Sequence, residues 1–280
     1  MLSTLSLLAA LISLAPQDSA AKPAPAAPVA IGTSEEEFKA VHEQDEDEDE
    51  APKPAGVEVT LSSGAKAYLA LPPAPSKDAK APLPAVLVLH EAWGMTSHVR
   101  HWADRLAACG YAALAVDFYG GKIANSPAAA MAAEKSVDDA TALKHLKAAH
   151  EFLKTDPRVK ATKIGAIGWS FGGGKALQAA IEIEDLQACV VYYGVPVTDP
   201  VALKKIKAPI CGVFADQDFA ISTKSVDEFE AALTDAKVEH EIHRYDGPHG
   251  FTNPGSMGYR PKDAAAAWDV VSKFLAAKLK

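Results

Sequence analysis

From residue 56 onward the chain alternates between two hydrophobic periods. Short continuous apolar runs, as expected of strands covered on both faces of a parallel sheet, are separated by longer stretches with helical spacing. Val57–Leu61 and Ala67–Leu71 read as a leading antiparallel pair around Ser62-Ser63-Gly64. Pro84–His90 is the first continuous apolar strand. A helix is predicted over Ser97–Ala108, with Gly110 placed to end it. Tyr111–Val116 follows as a strand, Ala128–Lys154 as one long Ala-rich helical region, and Lys163–Trp169 as a strand that runs into a helix at Phe171. Ala188–Tyr193 and Pro209–Phe214 are further strands, Ser225–Ala236 a helix, Glu239–Tyr245 a strand and Ala264–Leu279 a closing helix. This alternation predicts an α/β class with a mostly parallel central sheet and helices on both faces. In such sheets the reactive groups lie beyond the carboxyl ends of the strands.

The first 55 residues have a different character. Leu2–Ala15 is apolar but too short to span a bilayer. It fits the apolar core of a signal peptide, with small residues at Ala20 and Ala21 suited to cleavage, although no Lys or Arg precedes it. Residues 1–21 are therefore expected to direct export to the periplasm or the medium, leaving no membrane span in the mature chain. Residues 22–55, Ala/Pro-rich and then acidic, are expected to form a disordered linker. The domain is expected to occupy 56–280.

Charge sharpens this division. Residues 1–50 carry a net −9, against −8 for the whole chain, so the remainder is close to neutral at about +1. A near-neutral domain without a basic stripe argues against nucleic-acid binding. Cys109, Cys189 and Cys211 match no zinc spacing and sit in apolar runs, where a free thiol behaves as a small buried hydrophobe.

The chemistry concentrates after the strands. Gly168-Trp169-Ser170-Phe171-Gly172 is a G-x-S-x-G string at a strand-to-helix junction. There a serine is pushed out on a tight turn, and small residues let the chain pass closely. Neither phosphate-loop pattern is met, because Trp169, Ala176 and Leu177 stand where those motifs need other residues. A serine needs a base. His249, in Gly247-Pro248-His249-Gly250, is the histidine placed in a loop after a late strand. His98 and His101 have ligand-like spacing on a helix but no third partner, and they are expected at the surface, as are His145 and His150. The base needs a carboxylate to orient it. Asp218, further into its loop than the alternative Asp216, is the better candidate, and Asp117 is expected to be structural. The order Ser170, Asp218, His249 is that of an α/β-hydrolase triad. The backbone N–H groups of Phe171 and Ala92 are the candidate oxyanion donors. Trp93, Tyr119 and Phe171 are candidate pocket residues. No metal or cofactor is expected.

His90-Glu91-Ala92-Trp93-Gly94, Ala107–Ala113, Asp117-Phe118-Tyr119, Gly168–Gly173, Tyr192-Tyr193-Gly194, Gln217-Asp218 and His249-Gly250-Phe251 together resemble the dienelactone hydrolase family over roughly 56–278. The resemblance implies an α/β-hydrolase fold and gives Glu91 the role of a glutamate that contacts the nucleophile and helps control its ionisation. Read from the residues alone, Glu91 is a partly buried loop carboxylate with a structural hydrogen bond. Two departures stand out. The family's usual cysteine is Ser170 here, and the arginine expected four residues after the base is Asn253. The family's second substrate-binding arginine has no aligned counterpart, with Lys135 nearby. Turnover of an anionic dienelactone is therefore not expected. The expected activity is hydrolysis of a small-molecule carboxylic ester or lactone by a serine nucleophile. Peptide hydrolysis or acyl transfer on the same residues is an alternative, as is a non-catalytic binding domain.

Overall fold

The computed structural model describes residues 34–44, 55–73 and 82–280. The segment read as a signal peptide and the acidic run 45–50 lie outside them. Among the described residues eight strands form one sheet in the order β1-β2-β4-β3-β5-β6-β7-β8. The strands are β1 Val57–Thr60, β2 Lys66–Ala70, β3 Ala85–Leu89, β4 Ala112–Val116, β5 Ile164–Trp169, β6 Ala188–Tyr192, β7 Ile210–Ala215 and β8 His240–Tyr245. β2 runs antiparallel to both β1 and β4, and every pairing from β4 to β8 is parallel. Strands β3 to β7 are buried along their whole length, which is why they read as unbroken apolar runs rather than alternating ones.

The helices are α1 Glu35–Gln44, α2 Ser97–Ala108, α3 Pro127–Ser136, α4 Asp139–Thr155, α5 Phe171–Glu182, α6 Pro200–Leu203, α7 Thr223–Asp235 and α8 Pro261–Leu279. One apolar layer packs α4, α5, α6 and α7 on one face of the sheet. A second packs α1, α2 and α8 on the other. The chain steps from β3 to β4 on one side and returns to place β5 on the other side of β3. The loops after β3 and β5 therefore diverge from neighbouring strand ends, the geometry that opens a crevice in α/β sheets.

Three expectations are corrected. The linker expected over 22–55 contains helix α1. Ser34 and Glu37 form a reciprocal capping box, with Ser34 Oγ accepting from the Glu37 N–H and Glu37 Oε2 from the Ser34 N–H, both at 3.2 Å. Glu35, Glu36 and Glu37 place negative charge at the positive end of the helix dipole. Phe38 is fully buried, its ring centroid 4.6 Å from that of Trp102, and Glu35 pairs with the buried Arg105 at 2.9 Å. That docking sets the Phe38 ring centroid 6.0 Å from that of His98, and His98 and His101 are both buried rather than exposed. His150 is buried as well, at the foot of α4, with Nε2 3.3 Å from Asp185 Oδ1. The helical region expected over 128–154 is two helices. Val137 is extended, and Asp138 caps α4 by accepting from the Thr141 N–H at 2.8 Å.

Cys189 and Cys211 are buried as expected, whereas Cys109 is half-buried, and all three thiols are free. No helix among the described residues is long and apolar enough to cross a membrane.

Candidate active site

Ser170 stands between the end of β5 and the first residue of α5, with φ 52° and ψ −115°. A non-glycine residue tolerates such a backbone only where the surroundings impose it. Here the glycines two before and two after it do so. A Cβ on Gly168 would sit 2.0 Å from the Gly172 carbonyl oxygen, and one on Gly172 would sit 2.0 Å from the Leu89 carbonyl oxygen. The chain can fold back this tightly only without those side chains, and the turn lifts Ser170 above the sheet.

Two other loops converge on it. His249 places Nε2 2.9 Å from Ser170 Oγ, and its Nδ1 lies 2.7 Å from Asp218 Oδ2. The Asp218 side chain is fully enclosed. Burial alone would raise its pKa, but the hydrogen bond from His249 and the N–H groups of Ile221 and Ala220 outweigh that and hold the carboxyl below its ordinary range. Asp216 is exposed and makes no side-chain contact of this kind. Asp117 is structural, as expected, accepting from the Tyr119 N–H at 2.8 Å in the turn after β4.

Glu91, in the loop after β3, is almost wholly buried. Its Oε2 accepts from Asn253 Nδ2 at 2.9 Å and its Oε1 from the Tyr193 hydroxyl at 3.4 Å. Desolvation dominates and raises its pKa, although Asn253, the nearby His249 and Tyr193 pull it down. Tyr193 has φ 37°, packs its ring 4.9 Å from the His249 ring and shares a 2.8 Å hydrogen bond with Thr252. Sequence reasoning missed Tyr193 and Thr252 as supports of the site. The signal for Tyr193 was its place in Tyr192-Tyr193-Gly194 at the end of a buried strand, and that for Thr252 was only its nearness to His249.

His90 was also missed. It is fully buried, and burial lowers its pKa to about 4, so the ring is neutral. The Phe118 N–H donates to Nε2 at 3.1 Å, leaving Nδ1–H to donate to the Glu91 carbonyl at 2.6 Å. The single tautomer ties the loop carrying Glu91 and Ala92 to the loop after β4.

These groups open into a cavity of about 1250 Å³ lined by Glu91, Ala92, Trp93, Ser170, Phe171 and His249 among others. Tyr119 does not line it. Its ring packs behind Phe171 and His90, with centroids at 5.6 and 4.6 Å. Lys135, the cation near the family's second arginine, is exposed and lies outside the lining. Cys211, Glu241 and His243 have donor atoms within 4.8 Å of one another, but they lie in the amino-terminal part of β7 and in β8, away from the loops that carry Ser170 and His249.

The sequence profile of the dienelactone hydrolase family matches residues 65–279. The chain belongs to the dienelactone hydrolase family. It is 30% identical over 215 residues to a protein of Synechocystis sp. provisionally named carboxymethylenebutenolidase, a match covering 70% of this chain and 87% of that one. It is 29% identical over 218 residues to a protein of Bradyrhizobium provisionally named 2-oxo-3-(5-oxofuran-2-ylidene)propanoate lactonase, covering 72% and 85%. A crystal structure from Klebsiella pneumoniae, provisionally named dienelactone hydrolase, superposes with a TM-score of 0.72 at 26% identity, over 79% of this chain and 98% of that one. As a dienelactone hydrolase family member the protein is a hydrolase, with lactone hydrolysis among the activities named for its relatives.

Proposed function

We propose that this family member hydrolyses carboxylic esters or lactones through a serine acyl-enzyme. The observation that carries the proposal is the unbroken hydrogen-bonded line from Ser170 through His249 to Asp218, at 2.9 and 2.7 Å. Asp218 holds the Nδ1–H of His249, which leaves the Nε2 lone pair facing the hydroxyl. His249 takes the Ser170 proton as Oγ attacks the carbonyl carbon. The N–H of Phe171, at the first turn of α5 where helix geometry leaves donors unpaired, and that of Ala92 receive the oxyanion. The tetrahedral species collapses, His249 returns the proton to the leaving alcohol, and water releases the acid by the same route. In a lactone the alcohol remains tethered to the acyl group.

Glu91 supports the site as a positioning residue. It sits behind Tyr193 and Asn253, and a serine offers it no thiolate equilibrium to control. Residues 1–21 belong to the same proposal as an export signal, checked by sequencing the amino terminus of the secreted protein.

A fluorophosphonate label followed by peptide mapping tests the proposal. Ser170 should carry the label, and Ser170→Ala should lose it together with about 10⁴-fold or more in kcat on a chromogenic ester. A label on another residue, or full activity in the alanine variant, overturns it.

A further inference from the structure

The glycines around Ser170 are not equivalent. Gly168, Gly172 and Gly173 each leave no room for a side chain, since a Cβ there would meet backbone within 2.0 to 2.8 Å. Gly174, one helical turn beyond the nucleophile, would meet nothing within 4 Å. Inside a helix, glycine is less stable than alanine by roughly 0.5–1 kcal/mol, and packing does not explain its presence here. Gly174 lines the cavity that contains Ser170.

That cavity runs along α5. Ser170, Gly174, Gln178 and Ile181 succeed one another on its floor, so the groove follows a 12-residue helix, about 18 Å at 1.5 Å per residue. Leu143 of α4 and Val195 and Val197, after β6, also line it. Trp93, Met131, Val195 and Phe219 line it while remaining exposed at its mouth. A volume of about 1250 Å³ exceeds the usual range of roughly 300–1,000 Å³ for small-molecule sites.

The charged side chains that line the groove are mostly acidic. Glu91, Glu134, Asp139 and Glu182 line it; Asp139 is bonded to Lys175 at 2.8 Å and Glu182 to Lys205 at 3.0 Å, so Glu91 and Glu134 are the acids there with no lysine on them among the described residues. No arginine is among the described residues that line it. A carboxylate entering this space would meet like charge and no free guanidinium.

We propose that the substrate is an uncharged ester with an elongated apolar acyl arm, which leaves Ser170, crosses Gly174 and extends along α5 toward Ile181. This deepens the serine hydrolase reading and rests on it. Gly174 is then a specificity-determining residue, because its missing side chain is the passage for the arm.

The test uses the full chain and 4-nitrophenyl esters from acetate to dodecanoate, with mono-4-nitrophenyl adipate compared against 4-nitrophenyl hexanoate. We expect kcat/KM to rise at least tenfold from acetate to octanoate, and the charged adipate to be the poorer substrate by at least tenfold. Gly174→Leu should lower the octanoate-to-acetate ratio of kcat/KM at least tenfold. Gly174→Ala, which favours the helix, should lower it in the same direction and covers the case in which the leucine variant does not fold. A flat or falling chain-length profile, a preference for the adipate, or an unchanged ratio in Gly174→Ala overturns the inference. Fluorophosphonate labelling of the same preparations separates the two levels. If Ser170 is labelled but the chain-length prediction fails, only the acyl groove falls. If Ser170 is not labelled, the nucleophile assignment falls and takes the groove with it.

Discussion

Asn253 donates a 2.9 Å hydrogen bond from Nδ2 to Oε2 of Glu91, a buried carboxylate that has no cationic partner at that oxygen. A neutral amide satisfies the geometry of the carboxylate but does not offset the cost of burying its charge. Glu91 is therefore held in the fold with its pKa above the ordinary value of 4.5.

The sign of the resulting pH dependence follows. A carboxyl whose folded pKa is raised favours folding fully below about 4.5, and that contribution is lost as pH rises through the higher folded value. Glu91→Gln removes the charge and keeps one acceptor oxygen, while its Nε2 cannot accept the second of the two hydrogen bonds. The melting temperature of the variant relative to the parent should rise as pH increases from 4 through the folded pKa of Glu91, and then level off. For a chain of this size each 1 kcal/mol is worth about 2–4 °C. A constant difference across that range would contradict the raised pKa.

Asp218, enclosed and bonded to His249, and Asp216, two residues earlier and exposed, make a matched pair. Asp218→Asn should lower kcat for a neutral ester by about 10³- to 10⁴-fold, since it favours the wrong His249 tautomer. Asp216→Asn should leave kcat unchanged. Circular dichroism of both variants checks that the fold persists.

Two glycine-to-alanine changes should move stability in opposite directions. Gly168→Ala sets a methyl 2.0 Å from a carbonyl oxygen in the turn, and urea denaturation should show a loss of about 2–3 kcal/mol. Gly174→Ala meets no neighbour and should stabilise by about 0.5–1 kcal/mol.

Phe38 ties α1 to the rest of the molecule through Trp102. Truncating a fully buried phenylalanine costs about 3–5 kcal/mol where the loss is felt globally. In a terminal helix, part of that loss appears as local opening instead. Phe38→Ala should abolish hydrogen-exchange protection across residues 35–44 and lower the melting temperature by several degrees. Unchanged protection would place the anchoring of α1 elsewhere.

The strands and the order of the three reactive residues were legible in the chain because each depends on local features. Buried parallel strands leave unbroken apolar runs, and the turn at Ser170 needs its small neighbours within two residues of it. Helix α1 was hidden because its composition is that of a solvated acidic tail, with Phe38 buried among its described side chains. The burial of His98 was hidden with it, since its neighbour Phe38 comes from α1. The break at Asp138 was missed because an alanine-rich stretch masked a capping residue. The support of Glu91 by Tyr193 and Asn253 joins residues 102 and 162 positions away, and no local pattern encodes such pairings.

By itself the amino-acid order determined the sheet-forming segments, the strained turn at Ser170 and the candidates for base and acid, all set by steric and hydrophobic rules acting over a few residues. Only the tertiary structure decided that Asp218 rather than Asp216 meets His249, that Tyr119 packs behind the cavity instead of lining it, and that an acid-lined groove follows α5. Those outcomes depend on which strand ends become neighbours, and the reversal of strand order at β3 and β5 settles that through long-range packing.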